Sequence, residues 1–77
     1  MARILGSAKG SMHYVSIEGA LSFRDLRMLE RVCGAALEQA RLALEIHLEN
    51  VTTIDESARV YLDRLVKRGA VLTGQES

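Results

Sequence analysis

The sequence predicts an α/β domain of order β-β-α-β-α-β, a small mixed sheet with helices mainly on one face. Two observations carry this. Residues 42–51 alternate strictly: Leu42, Leu44, Ile46 and Leu48 point one way, and Glu45, His47 and Glu49 the other. Such a strand has one covered and one wetter face, so helices are expected on a single side of the sheet. The second observation is a segment of helical period on each side of that strand, with apolar residues at steps of three and four. A strand–helix–strand unit crosses over right-handed, so the last three strands should be mutually parallel or nearly so.

Taken in order, residues 2–5 form a short apolar run, an edge strand. Residues 6–11 (Gly-Ser-Ala-Lys-Gly-Ser) are turn chemistry. From Met12 to Glu18 the chain alternates, with Met12, Tyr14, Ser16 and Glu18 on one face and His13, Val15 and Ile17 on the other. The two runs predict a hairpin whose second strand closes at Gly19. Ser22 is a good helix N-cap, and Asp25 lies three residues on, at the favourable end of the helix dipole. This helix is expected to reach about Ala40, with a buried stripe of Leu26, Leu29, Val32, Cys33, Ala36, Leu37 and Ala40. Arg24, Arg27, Glu30, Arg31, Glu38 and Arg41 lie mostly on its other side.

Asn50 is expected to end the alternating strand. The second helix has two candidate caps: Thr53, which with Glu56 matches a capping box, and Asp55. They shift its start by two residues, and the sequence does not choose. Ala58, Tyr61, Leu62, Leu65 and Val66 form its apolar face, Arg59–Asp63 and Asp63–Lys67 are spaced for pairing, and Gly69 is a natural residue beyond the C-cap. Residues 70–73 are a last short strand, and 74–77 a frayed tail. The whole of 1–77 is expected to be one domain.

Composition excludes several function classes. Ten basic and ten acidic side chains balance, which argues against a nucleic-acid-binding module and against attraction to anionic membranes by charge alone. Only Tyr14, Phe23 and Tyr61 are aromatic, too few for a base-stacking platform. No long apolar run follows the basic N-terminal residue, so neither a signal peptide nor membrane insertion is expected. The lone Cys33 forms no internal disulfide and suits a reducing compartment, the cytoplasm. No Cys/His/Asp spacing fits a metal site, no nucleophile–base set stands out, and in the Gly6–Gly10 segment Lys9 precedes the glycine, unlike a phosphate-binding loop. Neither a cofactor nor catalysis is expected.

Three segments carry a resemblance to a family. Residues 19–23 (Gly-Ala-Leu-Ser-Phe) resemble a Gly-x-Leu-Asp/Ser-x segment before a first helix. Residues 44–51 followed by Val-Thr-Thr-Ile-Asp-Glu-Ser-Ala at 51–58 resemble a central strand and a Val-x-x-Ile-Asp-Ser-Ser/Thr-Gly signature. Residues 68–72 (Arg-Gly-Ala-Val-Leu) resemble a glycine-then-strand segment. Together they resemble the STAS domain, the fold of bacterial anti-sigma-factor antagonists. The resemblance implies a transcription-regulating, protein-binding domain that sequesters an anti-sigma factor. It also implies a phosphoacceptor hydroxyl, which falls on Ser57, preceded by Asp55. Glu56 stands in place of the first hydroxyl residue, Ala58 in place of the glycine, and His47 in place of a strand aspartate. Family members usually continue with a further helix, so the chain is expected to be a short, divergent member or to complete its core through another chain.

The partner surface implied by this resemblance centres on the second helix start: Thr53, Asp55, Glu56, Ser57, Arg59 and Tyr61. A phosphate there would meet unpaired N–H groups and the helix dipole. The plainer alternative for Ser57 is an unmodified first-turn serine, and for Glu56 a capping role. Two protein partners fit, an anti-sigma kinase-like protein or a transporter or ATPase component; self-association as a homodimer is a third possibility, and a small-ligand or nucleotide site a fourth. Cys33 is expected to be buried and inert. His47, flanked by Glu45 and Glu49, is either a weak pH-sensitive contact or part of a solvated sheet face.

Overall fold

The computed structural model describes residues 2–38 and 43–74. Strands β1 (Arg3–Lys9), β2 (Met12–Leu21), β3 (Ala43–Ile54) and β4 (Val71–Thr73) form one sheet in the order β1-β2-β3-β4. β1 and β2 are an antiparallel hairpin, while β2, β3 and β4 run parallel, as the two helical crossovers require. The first crossover is a helical stretch of four parts: a 3₁₀ turn at Phe23–Asp25, α1 (Leu26–Leu29), a π-helical segment at Glu30–Gly34, and α2 (Ala35–Glu38). The second is a regular helix, α3 (Glu56–Lys67).

The core lies between the helices and one sheet face. β2 contributes Val15 and Ile17, β3 contributes Leu44, Ile46 and Leu48, the first helical stretch Leu29, Cys33 and Ala36, and α3 Ala58, Leu62 and Leu65. The alternation expected for both strands is therefore correct. Three of the expected stripe residues, Leu26, Val32 and Leu37, pack against this core half-buried. Ala40, Arg41, Leu42 and the tail at 75–77 lie outside the described residues.

Several local expectations are corrected. The hairpin turn is tighter than residues 6–11: both strands extend until only Gly10 and Ser11 remain between them. Gly19 does not close its strand. It adopts φ 87°, within a stretch of β2 where the register against β3 shifts, and β2 runs on to Leu21. A glycine takes this left-handed conformation without steric cost, so the strand bulges and continues. Asn50 likewise does not end β3. It pairs with Glu18, and the ladder proceeds to Leu21 opposite Ile54. Ladder hydrogen bonds to a parallel neighbour outweigh the local turn preference of one asparagine.

In α3 the buried residues step by four and three, Ala58, Leu62 and Leu65. Val66, expected on that face, is turned out to solvent because Leu65 takes the core position beside it. The expected Arg59–Asp63 and Asp63–Lys67 pairs do not form within ion-pair distance; among the described residues only His47 makes such contacts. The helix ends at Arg68, and Gly69 follows with φ 109°, as a residue beyond a C-cap should.

Cys33 is fully buried, and burial pushes its thiol from the ordinary 9.0 up to about 11. It should resist a thiol reagent in the folded protein and react promptly in denaturant; equal rates in the two states would contradict its placement. As pH rises through about 9 the unfolded chain releases this proton before the folded chain does. The unfolded state then binds fewer protons, so the contribution of this group to stability is complete below pH 9 and declines between about 9 and about 11.

Candidate functional site

Because β2 and β3 finish side by side, with Leu21 opposite Ile54, both chains enter their helices at the same end of the sheet. Asp55 sits at this junction. Its backbone N–H donates to the Leu21 carbonyl at 3.0 Å. One carboxylate oxygen, Oδ1, accepts from the Ala58 N–H at 2.9 Å, and the other, Oδ2, accepts from the Phe23 N–H at 2.8 Å. One side chain therefore caps α3 and fastens the start of the first helical stretch to it. This resolves the choice of cap left open by the sequence: Thr53 belongs to β3, and Asp55 is the N-cap.

The other helix start is capped by Ser22, whose Oγ accepts from the Arg24 N–H at 3.4 Å. Asp25 answers by accepting the Ser22 N–H at 3.0 Å, and it is the one buried charged residue among those described. Two helix N-termini are thus held next to each other by Asp55, while Asp25 closes the capping box of the first, and each orphan donor that these bonds reach is satisfied.

The six residues expected at the partner surface do not share one patch. Glu56, Ser57 and Tyr61 line an open groove of about 440 Å³ between α3 and the first helical stretch, together with Leu26, Glu30, Val60 and Arg64. Thr53 and Arg59 line a separate groove of about 410 Å³, with Glu49, Thr52 and Gly74. Asp55 stands between the two, its carboxylate engaged internally. Ser57 is exposed at the second position of α3. Tyr61 is half-buried; burial pushes its phenol up, Cys33 and Glu30 add to this, and Arg68 opposes it.

Phe23, which the sequence does not single out, borders this junction. It is 61% exposed, the most exposed large apolar side chain described, and its backbone is tied to Asp55. Arg24 places its guanidinium carbon 5.9 Å from the ring centre. The available signal was its position directly after the Ser22 cap, ahead of the apolar stripe that begins at Leu26. A 3₁₀ turn there leaves the ring outside the core.

On the open sheet face, His47 lies between the two carboxylates that flank it in sequence. Its Nε2 is 3.0 Å from Glu45 Oε1 and its Nδ1 3.6 Å from Glu49 Oε1. The buried Nε2 is close to Glu45 but out of line for a hydrogen bond. The Thr73 hydroxyl donates to Glu49 at 3.2 Å, and the Tyr14 ring lies 5.8 Å from the imidazole. Among the described residues no group of three His, Cys, Asp or Glu side chains is arranged to hold a metal, and no helix is long and apolar enough to cross a membrane.

No family model matches the sequence, and no curated protein does. Solved structures do match. The anti-sigma factor antagonist SpoIIAA in its unphosphorylated form superposes with a TM-score of 0.81 over 97% of this chain and 76% of its own, at 11% identity. The chain has the STAS-like fold. An anti-sigma factor antagonist from Mycobacterium paratuberculosis gives 0.79 over 94% of this chain and 66% of its own, at 19% identity. The STAS domain of an antisigma-factor antagonist from Rhodobacter sphaeroides gives 0.68 over 95% and 86%, at 17% identity. At these identities the likeness is one of fold. In this chain the Ala58 methyl is fully buried in the core, and Glu56 adds an acid to the first turn of α3, where the dipole favours it.

Proposed function

We propose that this protein is a regulatory, non-enzymatic module that binds a protein partner through the start of α3, as an anti-sigma-factor antagonist does, and that Ser57 is its phosphoacceptor. It works in the cytoplasm of a bacterium, a compartment in keeping with its single buried thiol. The observation that carries this reading is the exposure of Ser57 at the second position of α3, on a groove wall beside a helix start fixed by Asp55. A rigid backbone under an exposed hydroxyl suits both a kinase and a partner that senses the phosphate. The groove already holds Glu30 and Glu56 and a single arginine, Arg64. A phosphate adds roughly −1.5 to −2 charges at neutral pH. The groove would turn strongly anionic, so a partner that docks on it unmodified would be released.

The test is native mass spectrometry of the protein copurified from its source cytosol, with Ser57→Ala and Ser57→Glu alongside. A kinase-like partner, phosphate on Ser57 and release by Ser57→Glu are the expected results. Both substitutions are at an exposed helix position and should change stability by less than about 0.5 kcal/mol, so loss of binding would not reflect unfolding. Glu56, a fixed negative charge beside Ser57, favours a second reading: an unphosphorylated subunit docked on a transporter or ATPase component. An unmodified chain bound to such a component, or only to a second copy of itself, would replace the switch by that structural role.

A further inference from the structure

The opposite flank of the first helical stretch carries a different surface. Arg24, Arg27 and Arg31 come from the 3₁₀ turn, α1 and the π-helical segment, yet all three rim one groove of about 280 Å³. Ala2, Ile4 and Met28 supply its apolar lining. Asp25 also borders it, but its carboxylate is engaged by the Ser22 N–H. None of the three guanidiniums is within ion-pair distance of a carboxylate among the described residues. The chain as a whole is neutral, so this is a segregation of charge rather than a basic protein.

The groove meets β1 at Ile4, and β1 is an edge strand, with β2 as its single neighbour among the described residues. Its outer N–H and C=O groups are a template for another strand. β1 contains no acidic residue, while Arg3, Leu5 and Lys9 share the face of the sheet away from the helices. A strand added here would find cations and apolar carbon on both of its sides. We infer that the β1 edge and its arginine-rimmed groove form a docking site for an acidic, apolar-tipped peptide segment of a partner protein, bound in extended form as a fifth strand. Charge complementarity selects acid, the apolar lining selects aliphatic side chains between the acids, and the free edge selects an extended backbone. An anionic lipid surface would use the arginines but neither the apolar lining nor the strand edge. This surface is separate from the Ser57 groove and does not depend on it.

Fluorescence polarisation of the full chain with a labelled peptide of alternating Glu and Val tests the inference, with the Gln-for-Glu peptide as its control. The acidic peptide should bind roughly tenfold or more tightly than the control, a difference of about 1.4 kcal/mol. The preference should fade between about 0.1 M and about 1 M salt as the screening length falls from about 10 Å to about 3 Å. The double variant Arg27→Glu, Arg31→Glu, both exposed positions, should lose the preference while keeping its circular dichroism and its partner binding at the Ser57 groove. Amide NMR shifts on titration should fall on β1. Equal affinity for the two peptides, shifts at the α3 start instead of β1, unchanged binding by the double variant, or capture by phosphatidylserine vesicles with no peptide binding would each overturn it.

Discussion

Asp55→Ala is expected to destabilise the fold by about 2 kcal/mol, combining a lost N-cap with a lost charge-assisted bond to the Phe23 N–H and discounting the latter for its exposure. In a domain of this size that lowers the thermal midpoint by roughly 10 °C. Asp55→Asn keeps an acceptor for one of the two N–H groups and should recover about half. Thr53→Ala is the informative control. If the capping box read from Thr53 and Glu56 operated, this change would cost as much as a lost cap; with Thr53 in β3 and exposed, the expected cost is within about 0.5 kcal/mol. Thermal unfolding of the three variants decides between the caps. Comparable losses for Thr53→Ala and Asp55→Ala would contradict the geometry at the junction. The same bond makes a functional forecast: Asp55→Ala frees Phe23 and the first helical stretch from α3, so partner binding should weaken more than the stability loss alone explains.

Periodicity carried most of the architecture. The alternation of Leu44, Ile46 and Leu48 against Glu45, His47 and Glu49 fixes which sheet face is buried, because a one-residue slip would put three carboxylate or imidazole groups into the core. The steps of the apolar residues in both helical stretches fix their inner faces in the same way. Strand ends were less legible. Asn50 and Gly19 are turn formers locally, but they sit opposite each other's strands in a parallel ladder whose hydrogen bonds depend on residues some thirty positions away. Nothing in a local window reports that pairing. The π-helical segment at Glu30–Gly34 was invisible for a related reason: its residues keep an acceptable α-helical spacing, and the extra residue per turn is a response to packing.

The candidate site was legible as a location and not as a geometry. The run Ile54-Asp55-Glu56-Ser57 announces a helix start, which is where Ser57 is found. Whether Thr53 or Asp55 caps it depends on how far β3 continues, and that depends on β2. Thr53, at the end of β3, and Arg59, on a different side of α3 from Ser57 and Tyr61, line a different groove from that pair. Phe23 joins the site through a bond spanning thirty-two positions of sequence, which no spacing rule contains. The three arginines are a similar case. In the sequence they lie on the side of the helix away from its apolar stripe, and only the structure brings Ala2 and Ile4 beside them.

Ile46→Ala should be the most damaging single change. Ile46 is fully buried, faces Val15 across the β2 ladder and Leu72 across the β4 ladder, and lies on the strand shared by both crossovers. Truncating such a residue costs about 2–5 kcal/mol through lost burial and an unfilled cavity. A small domain has roughly 0.05–0.15 kcal/mol of stability per residue, which for this chain is on the order of 4–12 kcal/mol in all. The variant should therefore be marginally folded, whereas Ile46→Val should lose about 1 kcal/mol and Glu45→Ala, on the open face next to it, about 0.5 kcal/mol or less. Urea unfolding followed by circular dichroism measures this, with an unchanged slope showing that the midpoint shift is one of stability. A loss below about 1 kcal/mol for Ile46→Ala would mean that the centre of the core is misplaced. The consequence reaches the site directly. Asp55 follows Ile54 at the end of β3, and its position is set by the same ladder that Ile46 anchors. Loosening β3 therefore releases the cap, the junction with Phe23 and the presentation of Ser57 together. Binding at the α3 start should fall in step with the folded fraction in Ile46→Ala, but ahead of it in Asp55→Ala, and that contrast separates a core defect from a site defect.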